Sequence, residues 1–182
     1  MLVACVIVTY NRLGLLKRAF QAVSTQTARP NLIVIVDNCS SDGTKDWLLA
    51  LAGERTDVKA VLLDSNCGGA GGFHYGIKTA YELGADWIWT MDDDTIPNPD
   101  ALQQLLDCGI IDSNGEDRNV GFLASEVNWK DGMRHQMNVP LPAKDWNAGH
   151  IRCPEAIKIK YASFVSILIN RRAVQAIGFP IR

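Results

Sequence analysis

Apolar runs alternate with amphipathic segments over the first hundred residues of the chain. Residues 2–8 form a continuous β-prone apolar run, which is typical of a strand buried on both faces. Further strands are predicted at residues 32–36, 58–63 and 87–91, with helices at residues 13–24, 44–51 and 70–83 between them. Strand and helix alternating at this spacing are typical of βαβ units. The pattern therefore predicts an α/β fold with a mainly parallel central sheet flanked by helices.

The pattern after residue 91 is less regular. Asn98 followed by Pro99 and Asp100 predicts the start of a helix that runs to about Cys108, with Asn98 as its N-cap. Strands are expected at residues 120–127 and 161–170, a short helix at 171–177, and a long loop or hairpin at 128–160. Because no repeat, low-complexity stretch or linker interrupts the chain, we expect a single domain.

Composition and charge narrow the possible partners. The 182 residues are 47% hydrophobic and 21% charged, with a net charge of -2, which describes an ordinary soluble protein with one core. There is no basic excess, so no nucleic-acid partner is predicted. No apolar run approaches the ~18–20 residues that span a bilayer, so no transmembrane segment is expected. The five cysteines contain no C-x-x-C pair, which argues against a zinc or redox motif.

Polar or glycine-rich residues follow each of the first four predicted strands. They are, in order, Thr9-Tyr10-Asn11-Arg12, the stretch from Asp37 to Thr44, the stretch from Asn66 to Gly72, and Asp92-Asp93-Asp94. In an open parallel sheet the carboxyl ends of the strands lie along one rim, and ligands bind there. The sequence therefore predicts that these four segments converge on one site.

The acidic triplet indicates a metal site. Carboxylates at positions i and i+2 of an extended segment point to the same side, so Asp92 and Asp94 are expected to share a cation. Ligands that are all oxygen favour a hard divalent ion, Mg²⁺ or Mn²⁺. The alternative is a solvated acidic turn or a helix-capping cluster.

The second and third segments suit a nucleotide. Four of the five residues 68–72 are glycines, which let backbone approach a ligand closely before a helix N-terminus; the alternative is a flexible loop. Asp37 ends a buried strand, where an acid can hydrogen-bond a ribose or a base, although an acid there also often caps the following turn. Thr44 is predicted to be the N-cap of the next helix.

Four segments in order, residues 6–12, 36–44, 66–72 and 92–94, resemble the inverting family 2 glycosyltransferases, which have the Rossmann-like GT-A fold. The match covers about residues 3–108. The later stretch from Tyr161 to Ile169, with Gly178-Phe179-Pro180, is similar to the bacterial galactofuranosyl- and rhamnosyltransferase group.

This resemblance implies a nucleoside-diphosphate-sugar site, with UDP or dTDP as the nucleotide. Asp92 and Asp94 would hold Mn²⁺ or Mg²⁺, Asp37 would hydrogen-bond the base, and Asp93 would face the donor sugar. The residues implied in nucleotide and donor binding are Thr9, Tyr10, Asn11, Arg12, Asp37, Asn38, Asn66, Gly68, Gly69, Gly72, Asp92 and Asp93. The implied reaction is inverting transfer of a galactofuranose- or rhamnose-class sugar to a glycan or lipid-linked acceptor in cell-surface polysaccharide synthesis.

The resemblance also implies an incomplete active site. In this group the general base follows the Gly-x-Pro segment, so it is expected beyond Arg182, where the sequence ends. Residues 1–108 are then the nucleotide- and metal-binding half of the domain, and residues 109–182 the start of the acceptor half. We expect this truncated chain alone to have little or no activity. A cytoplasmic location is expected, with peripheral attachment at the inner face of the membrane left open.

Three other functions are compatible with an α/β sheet. A dinucleotide-dependent oxidoreductase requires G-x-G-x-x-G after the first strand, where Thr9-Tyr10-Asn11-Arg12 stands instead. A sugar-phosphate nucleotidylyltransferase usually carries a glycine-rich loop with Arg and Lys at that same point. A non-catalytic nucleotide-binding module of the same fold stays open, although the intact Asp92 and Asp94 pair argues mildly against it.

Overall fold

A computed structural model describes residues 1–108, 120–134, 138–139, 141–142 and 157–180 of the chain. Its elements are β1 (Val3–Thr9), α1 (Leu13–Ser24), β2 (Leu32–Asp37), α2 (Thr44–Glu54), β3 (Val58–Leu62), α3 (Gly68–Glu82), β4 (Trp87–Asp92), α4 (Ala101–Asp107), β5 (Phe122–Ala124), β6 (Leu141–Pro142), β7 (Ile159–Tyr161), β8 (Ile167–Asn170) and α5 (Arg171–Ile177). The predicted alternation of strands and helices up to β4 is confirmed.

The central sheet has six strands in the order β3-β2-β1-β4-β8-β5. The first four are parallel, whereas β8 runs antiparallel to β4, and β5 antiparallel to β8. The mainly parallel sheet predicted from the sequence is therefore confirmed. The strand order reverses between β1 and β4, and in open α/β sheets such a switch point opens a crevice at the carboxyl ends of the strands.

Helices cover both faces of the sheet. One face packs α1, α2 and α4 against side chains such as Cys5 and Ile7 of β1. The other face packs α3 and Val174 of α5 against the alternate residues Val6 and Val8. Because β1 is buried on both faces, its sequence is a continuous apolar run rather than an alternating one. In the described part of the chain, no helix is both long and apolar enough to cross a bilayer.

The starts of α3 and α4 and the N-cap of α2 differ from the sequence prediction, and α3 begins at Gly68 rather than at residue 70. Helix α4 starts at Ala101 and not at Pro99, because the carbonyls of Asn98 and Pro99 accept hydrogen bonds from the Gln26 side chain and the Thr27 amide, which hold these residues in a turn. Thr44 is the first residue of α2 rather than its N-cap, a position that Gly43 takes with a φ of 87°. The segment that follows α1 therefore displaces the start of α4 through contacts that the local pattern does not contain.

The single strand predicted at residues 161–170 is two strands in two different sheets. Strand β7 ends at Tyr161 and pairs with β6, whereas β8 begins at Ile167 and pairs with β4 and β5. Ser166 between them has a φ of 54°, which breaks the extended backbone. The described part of the predicted strand 120–127 is also shorter than expected, since β5 spans only Phe122–Ala124.

The predicted division after residue 108 borders residues 109–119, which lie outside the described part of the chain. Strands β5 and β8 nevertheless join the same sheet as β1–β4. Trp89 of β4 donates its indole N–H to Ser166 Oγ at 3.1 Å, which links the two predicted halves through a buried hydrogen bond.

Candidate functional site

The loops after β1 and β4 meet at the switch point of the sheet. Thr9 Oγ1 donates a 2.7 Å hydrogen bond to Asp93 Oδ2, and Arg12 Nη1 lies 3.4 Å from Asp93 Oδ1. The same Arg12 nitrogen lies 3.0 Å from Asp94 Oδ2. These contacts bring together four residues that the sequence assigned to one site.

Asp93 does not face open space, and its implied role beside the donor sugar stays a prediction. It is only 3% exposed, and its two carboxylate oxygens are directed at Thr9 and Arg12. The reason is local: β4 ends at Asp92, and the Thr95 amide bonds back to the Asp92 carbonyl, so the triplet is a turn and not an extended segment. Asp93 therefore anchors the turn, and Asp92 and Asp94 remain as the more accessible carboxylates.

Asp92 is a half-buried carboxylate whose side chain makes no hydrogen bond or ion pair with any residue that the structure describes. The pKa of Asp92 is raised to about 6, chiefly by burial and also by the neighbouring charges of Asp94 and Asp93, while the charge of Arg12 opposes the shift. Burial likewise raises the pKa of Asp93, although the hydrogen bond from Thr9 and the charge of Arg12 counteract it. An unsatisfied anion beside two others is a position that a cation would stabilise.

Asp92 and Asp94 carry oxygen atoms of the kind that a hard divalent ion prefers as ligands. Within the described ranges no group of three or more His, Cys, Asp or Glu side chains is arranged to enclose a metal. Mg²⁺ is often held by one or two carboxylates, with phosphate oxygens and water completing its shell. Two protein carboxylates at an open crevice therefore match a metal that is shared with a phosphorylated ligand.

A second set of contacts joins the loop after β1 to the loop after β2. Asn11, with a φ of 53°, receives a hydrogen bond from Ser41 N at its side-chain oxygen, and its own amide donates to Ser40 Oγ. Asp42 accepts from the Leu13 amide at 2.9 Å and from Thr44 Oγ1 at 2.6 Å, so one carboxylate serves the first residues of both α1 and α2. These bonds fix the shape of the rim beside Tyr10, which is 45% exposed.

Asp42 was not among the predicted site residues, yet it organises two helix starts. Partial burial acts to raise its pKa, but hydrogen bonds from Thr44 and Leu13 outweigh this and hold the pKa of Asp42 below its usual range. The available signal was its place immediately before Gly43 and Thr44, at the turn into a predicted helix.

A third set of contacts joins the loop after β2 to the start of α3. Asn38 is 3% exposed, and its side chain accepts from the Cys67 amide at 2.8 Å and donates to the Gly68 carbonyl at 3.0 Å. Asn66 Oδ1 accepts from the Gly68 amide. Asp37 is 2% exposed and accepts from the Ser40 amide, which is the turn-capping arrangement named as the alternative to base recognition.

The glycines of residues 68–72 do not share one role. Gly68, with a φ of 69°, and Gly69 are exposed, and a Cβ added at either position would meet nothing within 4 Å. Gly72 is buried in α3, and a Cβ there would lie 2.4 Å from Val8 Cγ1. Gly76 meets Val6 in the same way at 2.3 Å. Gly72 is therefore a packing residue that lets α3 approach β1, and its implied role in donor binding stays a prediction.

A cavity of about 240 Å³ lies at the carboxyl end of β3, and its lining residues were not among the predicted site residues. Its lining residues are Leu62, Leu63, Asp64, Ser65, Cys67 and Tyr75. The signal for the polar residues was present, because Asp64 and Ser65 follow the third strand as the other rim residues follow theirs. Tyr75 comes from α3 and had no local signal, since only the fold brings it next to this loop.

The sequence model of Glycosyl transferase family 2 matches residues 4–176, so the chain belongs to this family. The membership predicted from the four segments is thereby confirmed. Among characterised relatives, the galactofuranosyltransferase GlfT1 of Mycolicibacterium smegmatis is 38% identical over 109 residues, covering 58% of this chain and 34% of the relative. The succinoglycan biosynthesis protein ExoO of Rhizobium meliloti is 30% identical over 105 residues, covering 58% of this chain and 29% of ExoO. The chain thus spans about a third of the length of these relatives.

Solved structures of glycosyltransferases share the fold. The structure of S. aureus TarS 1–349 in complex with UDP superposes with a TM-score of 0.65 at 15% identity, covering 97% of this chain and 48% of TarS. The mannosyltransferase PcManGT of Pyrobaculum calidifontis, in complex with GDP-Man and Mn²⁺, has a TM-score of 0.54 at 22% identity, with 70% of this chain and 35% of PcManGT covered. The predicted GT-A fold is confirmed.

Proposed function

We propose that the rim formed by the loops after β1–β4 binds a nucleoside-diphosphate-sugar donor together with Mn²⁺ or Mg²⁺. The observation that carries the proposal is the half-buried Asp92 carboxylate without a hydrogen-bond partner among the described residues, beside Asp94 at the switch point. A donor diphosphate supplies the oxygens that such a two-carboxylate metal site lacks. The family supports this assignment, and so do two related structures, one in complex with UDP and the other with GDP-Man and Mn²⁺.

The nucleoside is proposed to lie over the loops after β2 and β3. Asn38 fixes the backbone of Cys67 and Gly68 there, and the exposed Gly68 and Gly69 leave room for a close approach to backbone. The neighbouring cavity of about 240 Å³ offers both apolar and polar lining residues at the same edge. UDP and dTDP are the proposed nucleotides. Asp37 Oδ1 accepts the hydrogen bond of the Ser40 amide, so Oδ2 is the oxygen that would hydrogen-bond the base.

The proposed reaction is an inverting displacement at the anomeric carbon of the donor. Asp92 and Asp94 would hold the divalent ion, which when bound would supply Lewis-acid stabilisation of the diphosphate leaving group. Thr9 and Arg12 keep Asp93 buried and so fix the turn that carries both metal-binding carboxylates. A carboxylate acting as general base on the acceptor hydroxyl contributes ~10²–10⁴-fold in such reactions. We assign that role to no described residue.

The proposed donor sugar is of the galactofuranose or rhamnose class, and the proposed acceptor is a glycan or a lipid-linked glycan in cell-surface polysaccharide synthesis. The likeness to galactofuranosyltransferases over 58% of this chain supports the first part. The likeness to ExoO and to an undecaprenyl-phosphate mannosyltransferase of Micrococcus luteus, 30% identical over 107 residues, supports the second. Because a lipid-linked acceptor lies in a membrane, the proposed location is the cytoplasm, at the inner face of the membrane.

The decisive experiment is calorimetric titration of UDP and of dTDP into the 182-residue chain, with and without Mn²⁺. We expect Mn²⁺-dependent binding of one nucleotide, and we expect Asp92→Asn/Asp94→Asn to abolish that metal dependence. The matched control is Glu54→Gln/Asp107→Asn, which removes two exposed carboxylates from the far ends of α2 and α4. The control should bind as the unchanged chain does.

Two results would count against the proposal. If the nucleotide affinity is equal with and without Mn²⁺, and unchanged in Asp92→Asn/Asp94→Asn, the site holds no metal and that part of the proposal fails. If a chain shown to be folded binds neither UDP nor dTDP, these residues do not form the donor site. Release of pyrophosphate from a nucleoside triphosphate and a sugar 1-phosphate, rather than of nucleoside diphosphate from a sugar nucleotide, would instead identify a nucleotidylyltransferase.

A further inference from the structure

Arg12 connects the acidic turn to the start of α1. Its backbone carbonyl accepts hydrogen bonds from the amides of Leu15 and Leu16, so its main chain is fixed as the N-cap residue of the helix. Its side chain reaches across the switch point to the turn after β4, where one nitrogen, Nη1, contacts both Asp93 and Asp94. The remaining guanidinium N–H groups are not used in these contacts, and the side chain is 53% exposed.

Within the described part of the chain, Arg12 is the one hydrogen-bond and ion-pair partner of the Asp94 side chain. Asp94 is itself 53% exposed, so the pair lies at the surface of the crevice, where it can open without disturbing the core. Asp93 differs, because it is buried and holds a second bond from Thr9 at 2.7 Å. Breaking the contact with Asp94 therefore leaves the turn anchored.

The geometry points to Arg12 as an exchangeable counterion of the site: it pairs with Asp94 when no metal is bound, and it transfers to the diphosphate when Asp94 takes up the divalent ion. This inference rests on the proposed function. Asp94 cannot serve the guanidinium and a divalent cation at once without placing two positive groups against each other. A released guanidinium suits a diphosphate, because its planar set of donors matches phosphate oxygens.

The exchange has a consequence that a fixed structural role does not have. Arg12 competes with metal for Asp94 but assists the nucleotide, so removing its charge changes the two affinities in opposite directions. A purely structural Arg12 would instead support the turn, and its loss would weaken the binding of both ligands. Binding of the metal alone and binding of the metal with nucleotide therefore distinguish the two roles.

The test uses Arg12→Gln and Arg12→Lys in the 182-residue chain, with Arg18→Gln as matched control. Arg18 lies exposed on the same helix, and its replacement removes the same charge away from the crevice. Mn²⁺ alone is titrated and followed by the paramagnetic resonance signal of the free ion. UDP and dTDP are then titrated at saturating Mn²⁺. Circular dichroism establishes that each variant is folded.

For Arg12→Gln we expect Mn²⁺ alone to bind about 2- to 5-fold more tightly, which is the size of an exposed ion pair. We expect the nucleotide at saturating Mn²⁺ to bind about 10-fold or more weakly, the size of a hydrogen bond to a charged group. Arg12→Lys should fall between Arg12→Gln and the unchanged chain in both titrations. Arg18→Gln should leave both unchanged.

Unchanged or weaker Mn²⁺ binding in a folded Arg12→Gln chain would overturn the exchange, and so would equal effects of Arg12→Gln and Arg18→Gln. If Arg12→Gln fails to fold, Arg12→Lys decides, since its Mn²⁺ affinity must then exceed that of the unchanged chain. Failure of the proposed function looks different. In that case the unchanged chain itself binds no nucleotide at saturating Mn²⁺, whatever the effect of Arg12→Gln on the metal.

Discussion

Three neighbouring carboxylates have three different environments within a single turn. Asp93 is buried and contacts both Thr9 and Arg12, and Asp94 is exposed and pairs with Arg12. Asp92 is half-buried and has no hydrogen bond to a described residue. Sequence spacing treated Asp92 and Asp94 as equivalent ligands on one side of a strand. In the structure, the ionised form of Asp92 is the least favourable of the three, because burial and two like charges act on it together.

The pKa of Asp92 gives a prediction about stability in the absence of metal. Its folded-state pKa of about 6 lies above the ordinary value of an unfolded aspartate, so the folded chain holds an extra proton between about pH 4 and pH 6. Stability is therefore lost as pH rises through this window. With EDTA present, Asp92→Asn should raise the free energy of unfolding by about 1–2 kcal/mol at pH 7.5, or Tm by roughly 3–8 °C, with little gain at pH 4.

The measurement is a pair of thermal melts at the two pH values, with Asp107→Asn as the control for removing an exposed carboxylate. An equal gain at both pH values would show that the effect comes from the amide side chain rather than from relief of a buried charge. Adding Mn²⁺ should reverse the order at pH 7.5, because only the unchanged chain gains stability by binding it.

At the scale of elements, the glycines of helix α3 have two different roles: some allow close packing on β1, and others lie exposed at the rim. Gly72 and Gly76 are four residues apart and face β1, where Val8 and Val6 occupy the space of a side chain. Gly69 lies on the exposed first turn of the same helix. The close approach of α3 to β1 places its first turn at the rim, so packing of this helix decides where the candidate nucleotide loop lies.

Gly72→Ala and Gly69→Ala test this difference. The first should destabilise the chain by about 1–3 kcal/mol, because the new methyl group overlaps Val8 in a packed interface. The second should be neutral or stabilising by about 0.4–1 kcal/mol, since alanine is the better helix former and has open space there. Urea unfolding gives both values. A Gly72→Ala chain as stable as the unchanged one would mean that α3 does not pack this closely.

The sequence predicted the parallel strands and their rim because residues buried on both faces leave continuous apolar runs that end in polar residues. It failed where tertiary contacts override local pattern. Gln26 and Thr27 hold the turn before α4, and the positive φ of Ser166 divides an apolar stretch between two sheets. The packing of Gly72 on β1 was also not predicted, although the four-residue spacing of Gly72 and Gly76 was the available signal.

At the scale of the whole molecule, the candidate site depends on strands that follow the four rim segments in the sequence. Strand β8 covers the edge of β4 with the register Trp87↔Asn170 to Thr90↔Ile167. Arg171 adds hydrogen bonds from its guanidinium to the carbonyls of Tyr81 and Ala85 at the end of α3. The acidic turn therefore extends from a strand that is central only because residues 167–170 pair with it.

Removing residues 109–182 tests whether the first 108 residues are a separable half. The shortened chain loses β8, so β4 becomes an edge strand with unpaired backbone groups, and the buried Trp89 indole loses its bond to Ser166. An exposed, flat and apolar edge promotes pairing between chains. We expect residues 1–108 to associate or unfold at concentrations where residues 1–182 are monodisperse, as measured by light scattering after size exclusion and by thermal melting. A monodisperse, cooperatively melting 1–108 chain that binds Mn²⁺ like the longer one would show that β1–β4 hold the turn of Asp92, Asp93 and Asp94 without β8. The predicted boundary at residue 108 would then be a true domain boundary.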